Sequence, residues 1–397
     1  MDYTNDYNAY FVPTFSRAGS PIVKGKGSYL YDAAGTKYLD FGTGIAVNAL
    51  GHAHPALVKA CIEQVKKVIH TSNLYITPPH IELARLLVEH SFGTRVFLCN
   101  SGTEAVEGAL KFARKYTSQK SPEKYHILSF FNGFHGRTYG AMTATAQEKF
   151  HKGFGPLPQG FHYAVFNDIK GTKEVLDQND YAAIIVEPLQ GEGGIHSATT
   201  EFLKFLRDYA SEHDIVLIFD EIQCGMGRTG TLWNYEQYGI IPDVMTLAKP
   251  LGGGLPLGAV VCCERVSSAM SPGSHGSTFG GNPVACAMGC EVLSIVADAA
   301  FLQQITESGT LLVEKLKELA MRYLLIKEVR GAGLLVGVEL TCEPKDVIAA
   351  CRGNGLIVIG AGSNTIRFMP PLNVLAKEIT AAVKLFEKSI QSIHIGG

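Results

Sequence analysis

Short apolar runs recur along the chain, separated by stretches whose apolar positions follow a helical period. The runs at 95–99, 125–130, 182–187, 215–220, 244–248 and 258–263 are apolar through their middles, as strands covered on both faces are. Between two of them, 200–213 carries helical spacing. This succession predicts βαβ units and a mainly parallel sheet flanked by helices. After Asn282-Pro283 the pattern changes: a helix-forming stretch runs to Tyr323, followed by an apolar run at 329–340, a helix at 344–353 and two short strands. That half predicts a separate, smaller α+β domain. Pro79 and Pro283 read as helix-start or turn residues.

Two of the runs end in residues that carry chemistry. Lys249 lies between the apolar run Val244-Met-Thr-Leu-Ala and the glycine-rich Pro250-Leu-Gly-Gly-Gly-Leu-Pro-Leu-Gly258. Desolvation there disfavours the ammonium form, so a free amine could form a Schiff base with a carbonyl. Taken alone, Lys249 reads equally as a strand-end lysine reaching solvent. The run ending in Phe219-Asp220 shifts that balance, because it delivers a carboxylate at the C-terminal end of a buried strand, where an acid needs a cationic partner. A Schiff-base lysine with an acid for a pyridinium nitrogen is the pairing a pyridoxal phosphate (PLP) site uses.

A phosphate-binding turn would complete that set. Val96-Phe-Leu-Cys-Asn100-Ser-Gly-Thr103-Glu reads as a strand, a hydroxyl-rich turn and a helix start. Backbone N–H groups at that start, with the Ser101 and Thr103 hydroxyls, would cradle a dianion around Ser101, Gly102 and Thr103. The plainer alternative is an ordinary helix cap.

Composition narrows the class. A chain of 397 residues with 46% hydrophobic and 18% charged residues can bury a large core, and a net charge of −2 gives no case for nucleic acid or a membrane surface as partner. Nine cysteines lie scattered, Cys262-Cys263 on an apolar run, which suits core thiols in a reducing cytosol. The first residues are acidic and lack an apolar leader, and no run approaches a membrane span, so a cytoplasmic location is expected. His52-Ala-His54 has no third ligand nearby in sequence, so a turn is expected there and no metal site. Gly331-Ala-Gly333 lacks dinucleotide-fingerprint spacing and reads as a tight turn into a strand.

Eight motifs stand in register: Asn100-Ser-Gly-Thr-Glu-Ala, Phe134-His-Gly-Arg-Thr138, Glu187-Pro-Leu-Gln-Gly-Glu-Gly-Gly194, Phe219-Asp-Glu-Ile-Gln223, Gly227-Arg-Thr-Gly230, Leu247-Ala-Lys249, Ser277-Thr-Phe-Gly-Gly-Asn-Pro283 and Ile366-Arg-Phe-Met-Pro-Pro-Leu372. Together they resemble the class III (ω-amino acid) aminotransferases of PLP fold type I, from about Gly25 to the C-terminus. Gly44-Ile-Ala-Val-Asn-Ala-Leu-Gly-His52 and Gly153-Phe-Gly-Pro-Leu157 resemble most the acetylornithine aminotransferases within that family. The resemblance implies an N-terminal segment, 1–45, joining the small domain, a large PLP-binding domain over 46–283 and a small domain over 284–397.

It also implies roles for single residues. Lys249 would hold PLP and shuttle a proton, and Asp220 would keep the pyridine nitrogen protonated. Gln223 would donate to the phenolic oxygen, Phe134 would stack on one ring face and Ile222 on the other; by themselves these three read as core or strand-end residues. Ser101, Gly102 and Thr103 would bind the phosphate, with Thr278 reaching in from a second subunit, so a homodimer with shared sites is expected. Arg367 would clamp an α-carboxylate and Arg137 a second one, while Glu192 would pair with Arg367 until 2-oxoglutarate or glutamate displaces it. His135 reads as pocket lining or as turn.

The implied reaction moves the δ-amino group of N-acetylornithine to 2-oxoglutarate, a step of arginine biosynthesis. Ornithine, 4-aminobutyrate or N-succinyl-diaminopimelate are alternative donors. From other classes stand a fold type I racemase or decarboxylase, which would not need two carboxylate clamps, and a silent PLP-binding protein, which could lack the lysine or the acid. Three positions depart from the family pattern: Pro250 after the lysine, expected to bias Lys249 toward extended backbone, and Val106 and Gly108 where asparagine and alanine are usual. They bear on the substrate more than on the cofactor.

Overall fold

The structure, a computed structural model, describes residues 3–17 and 19–393; Met1, Asp2, Ala18 and 394–397 of the expected domain ranges lie outside the described residues. Its centre is a seven-stranded sheet in the order Arg95–Cys99, Gly258–Cys262, Val244–Leu247, Val216–Asp220, Tyr181–Val186, His126–Phe130 and Phe161–Ala164. All neighbours run parallel except Gly258–Cys262, which is antiparallel to both of its own.

The apolar runs become strands because both faces of this sheet are covered. Along Val216–Asp220, Val216 and Ile218 pack in one core with Ala105, Ala109 and Phe112 of helix Gly102–Ser118, while Leu217 and Phe219 pack in another with Leu203 and Leu206 of helix Thr200–Glu212. Successive side chains point to opposite faces, so a doubly covered strand must be apolar at every position. Each such leucine or isoleucine contributes about 1.5 to 3 kcal/mol by burial.

Six strands were expected and occur within a residue of their expected limits. The seventh, Phe161–Ala164, was not expected: it is an edge strand, mostly half-buried, and reads Phe-His-Tyr-Ala without a sustained apolar run.

The helix-forming stretch after Asn282 is broken. Helix Pro283–Val296 and helix Ala299–Ala320 meet at 72°, and Asp298 caps the second by accepting from the Phe301 N–H at 2.9 Å. The first helix packs against helices Pro55–Val65 and Pro78–Glu89, and the second against helix Ala376–Gln391 and strand Ile326–Ala332. A change of packing partners therefore falls at Ala297-Asp298. Proline opens both Pro78–Glu89 and Pro283–Val296, where its missing N–H has no intrahelical partner to lose.

The C-terminal part carries an antiparallel sheet, Ile326–Ala332, Leu335–Leu340, Thr365–Phe368 and Ile359–Ala361. Gly333, at φ +51°, makes the turn between the first two. A second sheet joins the N-terminal strands Ile22–Lys26, Tyr29–Asp32 and Lys37–Asp40 to Leu356–Ile357, with Leu39 opposite Leu356.

Candidate active site

Parallel strands present their C-terminal ends along one edge of the sheet, and the candidate residues converge there. Asp220 ends its strand opposite Thr246, whose hydroxyl donates to Asp220 Oδ1 at 3.1 Å. The Ile222 N–H donates to the same oxygen at 3.1 Å. Asp220 Oδ2 lies 2.8 Å from His135 Nδ1, and both side chains are buried. The hydrogen-bond partner of this buried acid is thus an imidazole from the Phe134-His-Gly turn, with Thr145 Oγ1 accepting from the His135 backbone N–H at 2.8 Å.

Lys249 follows Val244–Leu247 by two residues and lines a cavity of about 430 Å³. Burial pushes its amine below the usual lysine range, and the Arg367 guanidinium adds to the effect, while Asp220, Glu187 and Glu192 oppose it. Its backbone corrects the expectation drawn from Pro250. Lys249 is left-handed at φ +40°, opening a 3₁₀ turn over Lys249–Gly252. Pro250 occupies the first turn, where the N–H it lacks has no partner to lose, and strain of this kind is a feature of functional sites.

Around the lysine stand two faces and a rim. Phe134 and Ile222 both line the cavity. Ile222 comes so close to Gly102 that a Cβ there would sit 2.9 Å from Ile222 Cδ1, which explains glycine at that helix start. The helix Gly102–Ser118 begins at Ser101, whose hydroxyl accepts from the Glu104 N–H at 3.3 Å. Ser101 is therefore a cap as well as cavity lining. The Thr103 hydroxyl accepts from the N–H groups of Arg137 and Thr138 at 3.1 and 3.2 Å, tying the Phe134–Thr138 turn to the helix start. The first N–H groups of the helix, at Gly102 and Thr103, have no intrahelical acceptor and face an anion site by position.

Arg367, on strand Thr365–Phe368, is 2% exposed and stands behind two residues that line the cavity, Gln223 and Glu192. It donates to Gln223 Oε1 at 2.8 Å, to Glu192 Oε2 at 2.9 Å and to the Gly360 carbonyl at 3.1 Å. With its oxygen so held, the Gln223 amide group keeps its N–H donors for the cavity. Arg137 is exposed at the mouth, its guanidinium 3.9 Å from the ring centroid of Phe150 and 5.5 Å from that of Phe134. Thr278 is exposed and is not among the described residues that line the cavity of its own chain.

Two contributors, Glu187 and Val47, were not singled out by sequence. Glu187, beyond strand Tyr181–Val186, accepts from the N–H groups of Phe134 and Gly191 at 2.7 and 3.2 Å. Burial pushes its carboxyl up to about 7. Its place in the motif Glu187 to Gly194 was the available signal. Val47 lines the cavity from the Gly44–His52 motif, and His135 had been left between pocket and turn. His52 lies 2.8 Å from Asp40, a contact that fixes a turn.

The sequence matches the family Aminotransferase class-III over residues 14–390. The chain belongs to the class III aminotransferases. The acetylornithine aminotransferase of Caldanaerobacter subterraneus subsp. tengcongensis is 48% identical over 387 residues, covering 97% of this chain and 98% of that protein. Among solved structures, the N-acetylornithine aminotransferase of Stenotrophomonas maltophilia K279a superposes with a TM-score of 0.85 at 34% identity, covering 98% of each chain. The ornithine aminotransferase of Toxoplasma gondii ME49 superposes with a TM-score of 0.94 at 32% identity, covering 98% of this chain and 94% of that one. The fold is thus PLP fold type I, and the protein is a PLP-dependent transaminase that takes amino-acid and keto-acid substrates.

Proposed function

We propose that this enzyme moves the δ-amino group of N-acetylornithine to 2-oxoglutarate, giving N-acetylglutamate 5-semialdehyde and glutamate. The observation that carries the reading is the contact between Glu192 and Arg367, 2.9 Å apart at the cavity wall. With the arginine neutralised, an ω-amine enters without its carboxylate being drawn to the reacting end. With Glu192 turned away, the same guanidinium clamps the α-carboxylate of 2-oxoglutarate or glutamate.

Bound in the cavity, PLP supplies an aldehyde for the amino group and a ring that takes up the electrons released at the substrate carbon. The residues present suit it. Lys249, desolvated and with its amine held below the usual lysine range, would hold the aldehyde carbon and afterwards carry the proton to and from the substrate carbon. Asp220, oriented by His135 and Thr246, would hold the proton on the ring nitrogen. Phe134 and Ile222 would cover the two ring faces, and the Gln223 amide would donate to the phenolic oxygen. Ser101, Gly102 and Thr103 would bind the phosphate, chiefly through N–H groups, since the Ser101 hydroxyl donates to Glu104 Oε2 at 3.2 Å and the Thr103 hydroxyl pairs with that of Thr138 at 2.8 Å.

Ornithine is the second reading, supported by the superposition on the Toxoplasma gondii enzyme. The cavity mouth favours the acylated donor. Arg137, which lines the cavity, lies 3.9 Å from the ring centroid of Phe150, and Lys149, from the adjoining surface, lies 4.9 Å from the same ring. Two cations there suit a carboxylate beside an uncharged amide and repel the α-ammonium that free ornithine carries. The test is a comparison of amino donors at fixed 2-oxoglutarate.

The reading includes a homodimer in which Thr278 completes the partner's phosphate site. Its support is the exposed apolar surface around that residue: Leu74, Ile76 and Phe279 are 86%, 84% and 62% exposed. Asn73 donates to the carbonyls of Ser277 and Gly280 at 2.9 Å, joining the two loops into one surface. A cytosolic location is part of the same reading, in keeping with nine cysteines that are all free thiols.

A further inference from the structure

The Glu192 loop and the Arg367 strand are fastened together by one side chain. Arg330, on strand Ile326–Ala332, donates through Nε to the carbonyls of Gly194 and Ile195 at 2.9 and 3.1 Å. Its Nη2 donates to the Gly194 carbonyl at 2.8 Å and to the Thr365 hydroxyl at 3.1 Å. Its Nη1 pairs with Glu328 at 2.6 Å and with Glu339. Gly194 lies two residues beyond Glu192, and Thr365 two residues before Arg367. From the other side, the Gly362 N–H donates to the Glu192 carbonyl at 2.7 Å.

We propose that Arg330 is a positioning residue for substrate selection: by clamping both backbones it holds the Glu192 carboxylate over Arg367 and sets how readily the pair opens. The inference rests on the reading of Glu192 and Arg367 as the gate between the two substrates. With the backbone tied on both sides of Glu192, opening is confined to rotation of its side chain. That side chain has room to move, being 33% exposed against 2% for Arg367. The loop cannot easily shift as a body, because a Cβ at Gly193 would already lie 2.5 Å from the Asn132 carbonyl.

Only a guanidinium serves here, since a planar fork reaches two carbonyls, a hydroxyl and two carboxylates at once while an ammonium cannot. The clamp is also insensitive to working pH. Arginine stays charged, and hydrogen bonds from Lys327 and Arg330 hold the Glu339 carboxyl down to about 2.

The test uses purified holoenzyme and measures the two half-reactions separately, together with calorimetric binding of glutarate, a dicarboxylate that accepts no amino group. Weakening the clamp leaves Arg367 less occupied. Arg330→Gln is therefore expected to tighten glutarate and 2-oxoglutarate by roughly 2- to 30-fold and to weaken N-acetylornithine, the range by which residues off the site modulate coupling. Glu192→Ala should move both in the same directions and further. Thr365→Val, which removes a single contact, should follow with a smaller shift and serves if Arg330→Gln does not fold. Opposite shifts in Glu192→Ala, with Arg330→Gln and Thr365→Val leaving both substrates unchanged or weakening both alike at lower Tm, would make Arg330 a structural strut and overturn the proposal. If Glu192→Ala moves neither substrate, the gate reading fails, and this inference with it.

Discussion

His135 Nδ1 and Asp220 Oδ2 meet at 2.8 Å with both side chains buried, so the acid placed for the cofactor's ring nitrogen is itself oriented by an imidazole. An amide cannot hold that proton as a carboxylate does. Asp220→Asn should lower the transamination rate by roughly 10²- to 10³-fold, the scale of losing one preorganised polar contact at a reacting centre, with the fold intact. His135→Ala should lose less, and His135→Asn, which keeps a hydrogen bond, less still. Near wild-type turnover in Asp220→Asn, measured by steady-state kinetics, would show that Asp220 has another role.

Lys249 supplies a pH test. Its amine is held below the usual lysine range, so it is protonated below that lowered pKa and free above it. The rate at which cofactor-free enzyme takes up PLP should rise with pH and level off below about 10.4, the ordinary lysine value. A midpoint at the ordinary value would mean that the amine is not desolvated. Lys249→Ala should lose the visible absorbance of the bound cofactor and all transamination, while still retaining some PLP through the phosphate site.

Thr278 tests the assembly. Thr278→Ala should weaken PLP retention on dialysis, and the wild-type protein should sediment as a dimer or larger. A fully active monomer would refute the shared site.

The two arginines should separate by half-reaction. Arg367→Ala should impair the 2-oxoglutarate half-reaction most, by roughly 2 to 5 kcal/mol, because it leaves a bound carboxylate and Glu192 without their buried partner. Arg137→Ala, at the exposed mouth, should act mainly on the N-acetylornithine half-reaction and by less. Equal losses in both half-reactions from either variant would contradict the division of roles.

What could be read from the sequence follows from how local each signal is. Lys249 and Asp220 were legible because Asp220 ends a doubly covered strand and Lys249 follows another by two residues, and the apolar run of each strand is a local pattern. The edge strand Phe161–Ala164 was missed because one neighbour and partial burial impose no such pattern. Arg367 and Glu192 are 175 residues apart, and Asp220 and His135 are 85 apart. Only resemblance could pair the first two, and nothing in the spacing paired the second. Pro250 was misread because the rule that proline extends its predecessor is statistical, and here packing of the Lys249–Gly252 turn decides the backbone. The break at Asp298 was hidden because both flanking segments favour helix, and a single capping aspartate separates them.

The amino donor decides which reaction this transaminase performs. The direct measurement is kcat/KM at fixed 2-oxoglutarate for N-acetylornithine, ornithine, 4-aminobutyrate and N-succinyl-diaminopimelate. The cation pair on Phe150 and the closed Glu192–Arg367 contact predict the highest value for N-acetylornithine, with free ornithine well below it. A profile led by 4-aminobutyrate or ornithine, with N-acetylornithine barely used, would contradict the assignment of substrate and leave the transaminase standing.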